Sequence, residues 1–227
     1  MNDNPLLLGH RGARRATSVE ENTVPAFDLA LEHGCDGFEF DVRRDGDGIP
    51  VICHDASVNG LTIAKSSHSQ LQLPCLEDVL RRYASRAFLD IELKVAGLET
   101  SVLSALQQFP PERGYVVSSF LPAVVADLKA RSGTVPLGII CDRAKQLEEA
   151  QKLPVEYVIP HDSLVTRQMV EATHARRRRI FVWTVNDPNR MRQLATWGVD
   201  AIISDNTELL TRTIKNPGNG LPSGRPN

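Results

Sequence analysis

The chain has 227 residues, of which 41% are hydrophobic and 24% charged, the proportions of an ordinary globular protein. Its formal net charge of -2 gives no reason to expect a nucleic acid or an anionic membrane surface as partner. No apolar run is long enough to cross a bilayer and no signal-peptide pattern opens the sequence, so we expect no stable membrane insertion. The four cysteines lack CxxC or zinc-like spacing, which is typical of reduced thiols in a cytoplasmic protein.

Along the chain, short apolar runs alternate with stretches of helical periodicity. The apolar runs predict strands at 6–10, 37–44, 87–94, 115–120, 137–141, 157–160, 180–185 and 201–204. The periodic stretches predict helices at 22–33, 76–84, 98–108, 122–130, 143–152, 166–175, 187–197 and 207–214. Strands that are separated by helices are expected to be parallel neighbours in one sheet.

Eight such strand–helix units predict an α/β fold, a TIM (β/α)8 barrel. An open doubly wound sheet is the alternative, but no GxGxxG follows the first strand. We expect residues 1–215 to form a single domain, with a small insertion at about 45–75 that carries an extra hairpin and a serine-rich loop. Residues 216–227 contain almost no core-forming side chains and are expected to be a disordered tail.

In a TIM barrel the chemistry takes place where the strands end. Glu39 and Asp41 lie two residues apart on the second strand, so their side chains point to the same side, and Glu92 lies near the end of the third strand. Carboxylates buried this close together repel each other unless a cation lies between them. Oxygen ligands favour Mg²⁺ or Ca²⁺ over zinc, so the sequence predicts one such divalent cation at this rim.

Basic residues fall at the same rim. Arg11 follows the first strand and Lys94 ends the third, and their fixed positive charges suit a phosphate group. His10 ends the first strand, and His54 follows a short strand predicted at 50–53 within the insertion. The predicted barrel therefore places carboxylates, two imidazoles and two basic side chains around one opening.

Several segments, taken in this order, resemble the glycerophosphodiester phosphodiesterase family. They are LLLGHRG at 6–12, EENTVPAFDLALEHGCDGFEFDVRRDGDGIPVICHD at 21–55, LPCLEDVL at 73–80, FLDIELK at 88–94, VVSSF at 116–120, and VWTVND with GVDAIISD within 182–205. The combination of HRG, EN, the E-x-D pair, HD and E-x-K is highly specific, whereas any one of them is a weak signal.

The resemblance implies a TIM barrel that uses a divalent cation to hydrolyse glycerophosphodiesters to glycerol 3-phosphate and an alcohol. By the same resemblance the site residues are metal ligands Glu39, Asp41 and Glu92, an acid/base pair His10 and His54, phosphate contacts Arg11 and Lys94, an aromatic Trp183 beside the glycerol, and Glu21 close to the site.

Alternatives stay open for individual residues and for the function. The acidic pair can instead form ion pairs with Arg43 and Arg44, and Trp183 can simply fill the barrel. A lysophospholipase D-like enzyme of the same family would act on a longer lipid, which the lack of an apolar docking element disfavours. A non-catalytic phosphate-binding barrel would be expected to have lost one of the histidines or carboxylates, and none is missing. The preferred alcohol, the roles of the two histidines, direct water attack against a cyclic phosphate, and the oligomeric state are not predicted.

Overall fold

The computed structural model describes residues 4–215, and its centre is a closed barrel of eight parallel strands. The strands are β1 (Leu6–His10), β2 (Gly37–Arg44), β3 (Pro50–Ile52), β4 (Ser57–Val58), β5 (Leu61–Thr62), β6 (Phe88–Leu93), β7 (Tyr115–Ser119), β8 (Leu137–Cys141), β9 (Tyr157–Pro160), β10 (Arg179–Val182) and β11 (Ala201–Ser204). The barrel order is β1-β11-β10-β9-β8-β7-β6-β2, and β1 pairs with β2 to close it. The predicted TIM barrel is confirmed.

Helices follow the barrel strands and cover the outside of the barrel. They are α1 (Val24–Glu32), α2 (His68–Leu71), α3 (Leu76–Tyr83), α4 (Glu99–Gln108), α5 (Pro122–Arg131), α6 (Ala144–Ala150), α7 (Arg167–Ala175), α8 (Pro188–Trp197) and α9 (Thr207–Lys215), with 3-10 turns at Ile63–Lys65 and Asp162–Leu164. None of the helices within residues 4–215 has the length and apolarity that crossing a bilayer requires.

The barrel strands are apolar on both faces because both faces are covered. One face packs against the helices, and the other fills the barrel interior with residues such as Leu8, Val116, Ile140, Phe181 and Ile203. Full burial of one such side chain contributes about 1.5–3 kcal/mol to folding. This packing explains why the strands read as continuous hydrophobic runs rather than as alternating ones.

The start of α1 differs from its predicted start by two residues, and the cause is local. Thr23 caps the helix, since its hydroxyl accepts a hydrogen bond from the Ala26 amide at 3.4 Å. Asn22 lies outside the helix in a left-handed conformation, with a φ of 58°. Its side-chain amide donates to Asp41 Oδ2 at 2.8 Å, so the residue that leaves the helix contributes to the rim of the barrel instead.

The insertion after β2 contains more structure than the sequence predicts. Besides β3 and the β4–β5 hairpin, it holds the short helix α2, which the serine-rich pattern did not indicate. The Gln70 side chain accepts a hydrogen bond from the Ser67 backbone amide, as in a capping box, and this local pairing stabilises a helix too short to show periodicity. The predicted tail at 216–227 lies outside the described residues, and the prediction of one domain over residues 1–215 stays a prediction.

Gly37 marks the closest backbone approach between two neighbouring barrel strands. A Cβ at this position would lie 1.9 Å from the carbonyl oxygen of Phe88 on β6, so Gly37→Ala forces the strands apart. We expect it to lower the free energy of unfolding by about 1–3 kcal/mol, measured by urea denaturation. Gly133→Ala is the matched control because no atom of residues 4–215 lies within 4 Å of its added Cβ. Equal stabilities of the two variants would contradict the prediction.

Candidate active site

The candidate site lies at the C-terminal rim of the barrel, where neighbouring strands bring distant residues together. In the parallel register of β2 and β6, Glu39 pairs with Asp90 and Asp41 with Glu92. His10 on β1 pairs with Glu39 on β2. The strand geometry therefore places residues from three separate stretches of sequence side by side, on the side of the barrel that the alternation predicts.

Three carboxylates form the centre of the site. Glu39, Asp41 and Glu92 each offer one oxygen, and these oxygens lie within 4.8 Å of one another. The residues are 5%, 1% and 7% exposed. Glu39 Oε1, Asp41 Oδ1 and Glu92 Oε1 are buried without a hydrogen-bond partner within residues 4–215. Buried oxygens that lack donors fit a hard cation, so the donor set has the chemistry of a Mg²⁺ or Ca²⁺ site.

The electrostatics of this cluster follow from burial and repulsion. Burial and the neighbouring carboxylates Asp41 and Glu92 raise the pKa of Glu39 well above its usual range. Burial and the charge of Asp41 raise the pKa of Glu92 to about 7. Burial also acts to raise the pKa of Asp41, but Lys94 and Arg11 outweigh it and the pKa is lowered. In the protein alone, protons therefore compete for the positions that a cation would take.

Two basic side chains border the carboxylates. Arg11 Nε lies 3.2 Å from Asp41 Oδ2, and Arg11 Nη1 donates to Glu21 Oε1 at 2.7 Å. Lys94 Nζ lies 2.8 Å from Glu92 Oε1 and 3.3 Å from Asp41 Oδ1, so its ammonium group forms ion pairs with both carboxylates. The positive charges of Arg11 and Lys94 offset part of the repulsion among the carboxylates, and Glu21 holds the Arg11 guanidinium in position.

His10 is buried, and the contacts of its two ring nitrogens fix its orientation. Nδ1 lies 2.7 Å from Asp205 Oδ1, and Nε2 lies 3.9 Å from Glu39 Oε2. Burial lowers the pKa of His10, and the hydrogen bond that its ring donates to Asp205 opposes this effect. Asn186 donates to the other Asp205 oxygen at 2.8 Å, so the carboxylate is itself held in place.

His54 belongs to the same cavity but is more accessible. Its Nδ1 lies 2.7 Å from Asp55 Oδ1, and its side chain is 33% exposed. His10 and His54 both line a cavity of about 130 Å³ together with Glu39, Glu92 and Lys94. A larger groove of about 370 Å³ lies between α6 and α7, but the described residues that line it include no histidine or carboxylate, so size does not identify the site.

Aromatic rings form one wall of this cavity. The Trp183 ring contacts Phe120 edge-to-face at 5.5 Å between centroids and lies 6.4 Å from the His10 ring. Trp183 Nε1 donates to the Ile159 carbonyl at 3.0 Å, which fixes the indole with part of its surface towards the cavity.

Asp90 lies deeper in the barrel, where burial raises its pKa to about 7 and Ser118 donates to it at 2.6 Å.

The structure brings together the predicted residues His10, Arg11, Glu21, Glu39, Asp41, His54, Glu92, Lys94 and Trp183. The alternative partners of the acidic pair, Arg43 and Arg44, form no ion pair with it within the described residues; Arg43 donates to the His54 carbonyl at 2.8 Å. Sequence reasoning missed the roles of Asn22 and Asp205. Nothing in one sequence links Asp205 to a histidine 195 positions away.

Comparison with known proteins shows which protein family this sequence matches. Residues 10–86 and 63–209 match the model of the glycerophosphoryl diester phosphodiesterase family. A curated glycerophosphodiester phosphodiesterase of Caldanaerobacter subterraneus subsp. tengcongensis is 26% identical, and the alignment covers 94% of this chain and 99% of the relative. One of Bacillus altitudinis is 29% identical over 88% of this chain and 94% of the relative.

Solved structures of similar proteins agree with this family match. A phosphodiesterase of Oleispira antarctica, in complex with the product sn-glycerol-3-phosphate, is similar with a TM-score of 0.81 at 25% identity. That alignment covers 92% of this chain and 96% of the other. A structure from Silicibacter pomeroyi has a TM-score of 0.86 at 20% identity, covers 96% of this chain and 95% of its own, and supports the fold.

The contact between Asp205 and His10 predicts a change in the titration of His10. Because the carboxylate opposes the effect of burial, Asp205→Asn should lower the pH at which His10 titrates, measured by NMR on the metal-free protein. Asp200→Asn is the control, since it removes a carboxylate 2.9 Å from a different histidine, His174. An unchanged His10 titration in Asp205→Asn would contradict the prediction.

Proposed function

Because this chain belongs to the glycerophosphoryl diester phosphodiesterase family, we propose that it hydrolyses glycerophosphodiesters to glycerol 3-phosphate and an alcohol. The sequence-based prediction of an enzyme of this family is confirmed. The observation that carries the proposed reaction is that two histidines, three carboxylates and two basic side chains surround one small cavity. Phosphodiester cleavage needs this combination, because negative charge must be offset and protons must be moved.

Glu39, Asp41 and Glu92 are the residues that would hold a divalent cation, and their unpartnered oxygens support this assignment. A cation bound there would offset charge on the phosphoryl oxygens. Mg²⁺ and Ca²⁺ both suit an all-oxygen donor set. Asn22 donates to Asp41 and the Arg11 amide donates to Glu39 at 3.0 Å, so both carboxylates are oriented from outside the cluster.

Arg11 and Lys94 are proposed to bind the phosphoryl oxygens. Both line the cavity beside the carboxylates, and each carries a charge that does not depend on pH near neutrality. The ion pair with Glu21 keeps the planar guanidinium directed into the site rather than towards solvent. Trp183 offers an apolar surface to the carbon atoms of the glycerol.

His10 and His54 are proposed as the acid/base pair. Both imidazoles face one cavity, so one can accept a proton from the water or glycerol hydroxyl that forms the new P–O bond, while the other donates a proton to the alcohol oxygen as its P–O bond breaks. If the glycerol hydroxyl attacks first, water then opens the cyclic phosphate. Asp205 and Asp55 each bond to the Nδ1 of one ring and leave its Nε2 available. Imidazole is the side chain best matched to proton transfer near neutral pH.

The cavity favours deacylated substrates over the longer lipids of a lysophospholipase D. Its volume is about 130 Å³, and the side chains of Ile140, Ile159 and Ile203 close it towards the barrel interior. A cavity of this volume suits a glycerol moiety and is too small to enclose a long acyl chain.

The direct experiment is to measure glycerol 3-phosphate released from a panel of glycerophosphodiesters, with Mg²⁺ or Ca²⁺ and with a chelator. We expect release with the cation and its loss on chelation. Failure to release glycerol 3-phosphate from any member of the panel with either cation would rule out the proposed function.

The carboxylate cluster predicts how a cation affects stability at different pH. Burial raises the pKa of Glu92 to about 7, so the protonated form of Glu92 stabilises the metal-free fold. This contribution to the free energy of unfolding is complete below the ordinary pKa of a glutamate side chain and is lost as pH rises through about 7. Mg²⁺ or Ca²⁺ should therefore raise Tm more at about pH 8 than at about pH 5. Glu92→Gln should remove most of the effect, whereas the exposed Glu148→Gln should retain it. A Tm gain that does not depend on pH would contradict this.

The histidine pair predicts a specific kinetic pattern. His10→Ala and His54→Ala should each lower kcat by roughly 10²–10⁴-fold, with a double variant less impaired than the product of the two effects. The parent should have a bell-shaped pH–rate profile. His174→Ala, which removes a histidine bonded to Asp200 outside the cavity, should keep parental kcat. Full turnover by His54→Ala would exclude it from the pair.

A further inference from the structure

Arg14 lies between two carboxylates, each of which holds one of the candidate site residues. Arg14 Nε lies 2.5 Å from Glu21 Oε2, and Arg14 Nη1 donates to Asp205 Oδ1 at 3.4 Å. The other oxygen of Glu21 accepts a hydrogen bond from Arg11 Nη1 at 2.7 Å. Asp205 Oδ1 also lies 2.7 Å from His10 Nδ1. The five side chains therefore form one continuous chain of polar contacts between the proposed phosphate contact and a proposed acid/base residue.

The backbone on both sides of Arg14 is anchored, so its side chain starts from a fixed point. The amide of Ala13 donates to the carbonyl of Ala26 in α1 at 2.9 Å, and the amide of Arg15 donates to the carbonyl of Asp205 at 3.0 Å. A surface ion pair normally contributes little, because ordering two long side chains costs conformational entropy. Here the loop already holds the Arg14 backbone beside Asp205, which removes part of that entropic cost.

Glu21 depends on Arg14 more than Asp205 does. Within residues 4–215 the Glu21 carboxylate contacts two side chains, those of Arg11 and Arg14. Asp205 has a further donor, because Asn186 donates to its other oxygen at 2.8 Å. The Glu21 side chain is 34% exposed, so without Arg14 one of its oxygens would face water and the carboxylate would be free to rotate. We therefore expect the loss of Arg14 to act mainly through Glu21 on Arg11.

The orientation of Arg11 matters because a guanidinium binds phosphoryl oxygens with a planar fork of N–H groups. Arg11 Nε lies 3.2 Å from Asp41 Oδ2, which holds one edge of the group, and Nη1 donates to Glu21. Two contacts at different edges define the plane of the guanidinium, whereas one contact leaves it free to turn. Arg14 keeps the second contact in place from outside, since it is not among the described residues that line the catalytic cavity.

The next residue in the sequence differs from Arg14 in its contacts. Arg15 is also exposed, but within the described residues its side chain forms no ion pair or hydrogen bond. Two arginines at adjacent positions thus carry the same charge, and Arg14 is the one that contacts the carboxylates.

We propose that Arg14 is a positioning residue for the phosphodiesterase reaction. It holds Glu21 against Arg11 and connects this pair to Asp205. The phosphate contact and the imidazole of His10 thereby keep a fixed position relative to each other. This inference rests on the proposed function and adds to it a residue that acts through its neighbours rather than on the reacting atoms.

The first test compares Arg14→Ala with Arg15→Ala, using the best substrate of the glycerophosphodiester panel in the presence of Mg²⁺ or Ca²⁺. We expect Arg14→Ala to lower kcat/KM by about two- to tenfold, the size of one or two partly exposed ion pairs. The inhibition constant of glycerol 3-phosphate should rise by a similar factor, because this product carries the phosphoryl group that Arg11 is proposed to bind. Arg15→Ala, which removes the same charge, should keep the parental values. Equal kinetic constants for the two variants would overturn the proposal.

A double-mutant cycle tests whether Arg14 acts through Glu21. In the Glu21→Gln background, Arg14→Ala should lower kcat/KM by less than about twofold, because Arg11 has already lost this contact. In the background of Glu148→Gln, an exposed change on α6, Arg14→Ala should have its full effect. Equal effects of Arg14→Ala in the two backgrounds would show that Glu21 does not carry the contribution, and the proposal would be wrong.

A third measurement separates positioning from a general effect on folding. The Arg14 side chain is 39% exposed, so the space left by Arg14→Ala is open to a small planar cation. Guanidinium chloride at millimolar concentration should restore part of the lost kcat/KM, relative to sodium chloride at the same ionic strength. The double variant Arg14→Ala/Glu21→Gln should show no such gain. Absence of a gain in Arg14→Ala, or an equal gain in the double variant, would contradict the proposal.

The results distinguish this inference from the proposed function. Release of glycerol 3-phosphate by the parent, with parental kinetics in Arg14→Ala, overturns the role of Arg14 and leaves the phosphodiesterase function standing. If the parent releases no glycerol 3-phosphate from any glycerophosphodiester, the proposed function is wrong and the role of Arg14 falls with it.

Discussion

The repulsion among three buried carboxylates is the constraint on which the rest of the site depends. Glu39, Asp41 and Glu92 lie within 4.8 Å of one another and are almost inaccessible to water. Arg11 and Lys94 offset part of this repulsion, but three oxygens still lack a hydrogen-bond donor within the described residues. Packing of the barrel has to offset the unfavourable free energy that remains from this repulsion. The charges accordingly occur on strands that pair with neighbours on both sides.

The barrel makes this arrangement possible by fixing distances between residues that are far apart in sequence. In a parallel register, Asp41 on β2 and Glu92 on β6 become neighbours, and β1 brings His10 beside Glu39. The contacts that orient these side chains come instead from the loops that follow the strands. Asn22, in the loop before α1, donates to Asp41, and Asp205, which follows β11, holds His10. The strands thus set the separation of the charged groups, and the loops set their orientation.

The same division explains the organisation around the cavity. Its interior end is closed by core side chains of the barrel, whereas its accessible edge is formed by His54 and the insertion after β2. A family member can therefore retain the phosphoryl-binding part of the site while the insertion varies. In this chain the insertion is compact, and its β4–β5 hairpin begins at Ser57, three residues after His54.

The sequence by itself determined the barrel, the family and the list of candidate site residues. Eight apolar runs separated by helical periodicity allow few other folds, and the alternation along β2 places Glu39 and Asp41 on one side whatever the details of packing. Only the tertiary structure decided that helix α1 begins after Asn22, that α2 exists, and that Asp205 contacts His10. Such contacts depend on loop conformations and on closure of the barrel, by which β1 pairs with β11 as well as with β2. Asp205 meets His10 across 195 positions because the first and last barrel strands are neighbours, and no local pattern in one sequence carries that information.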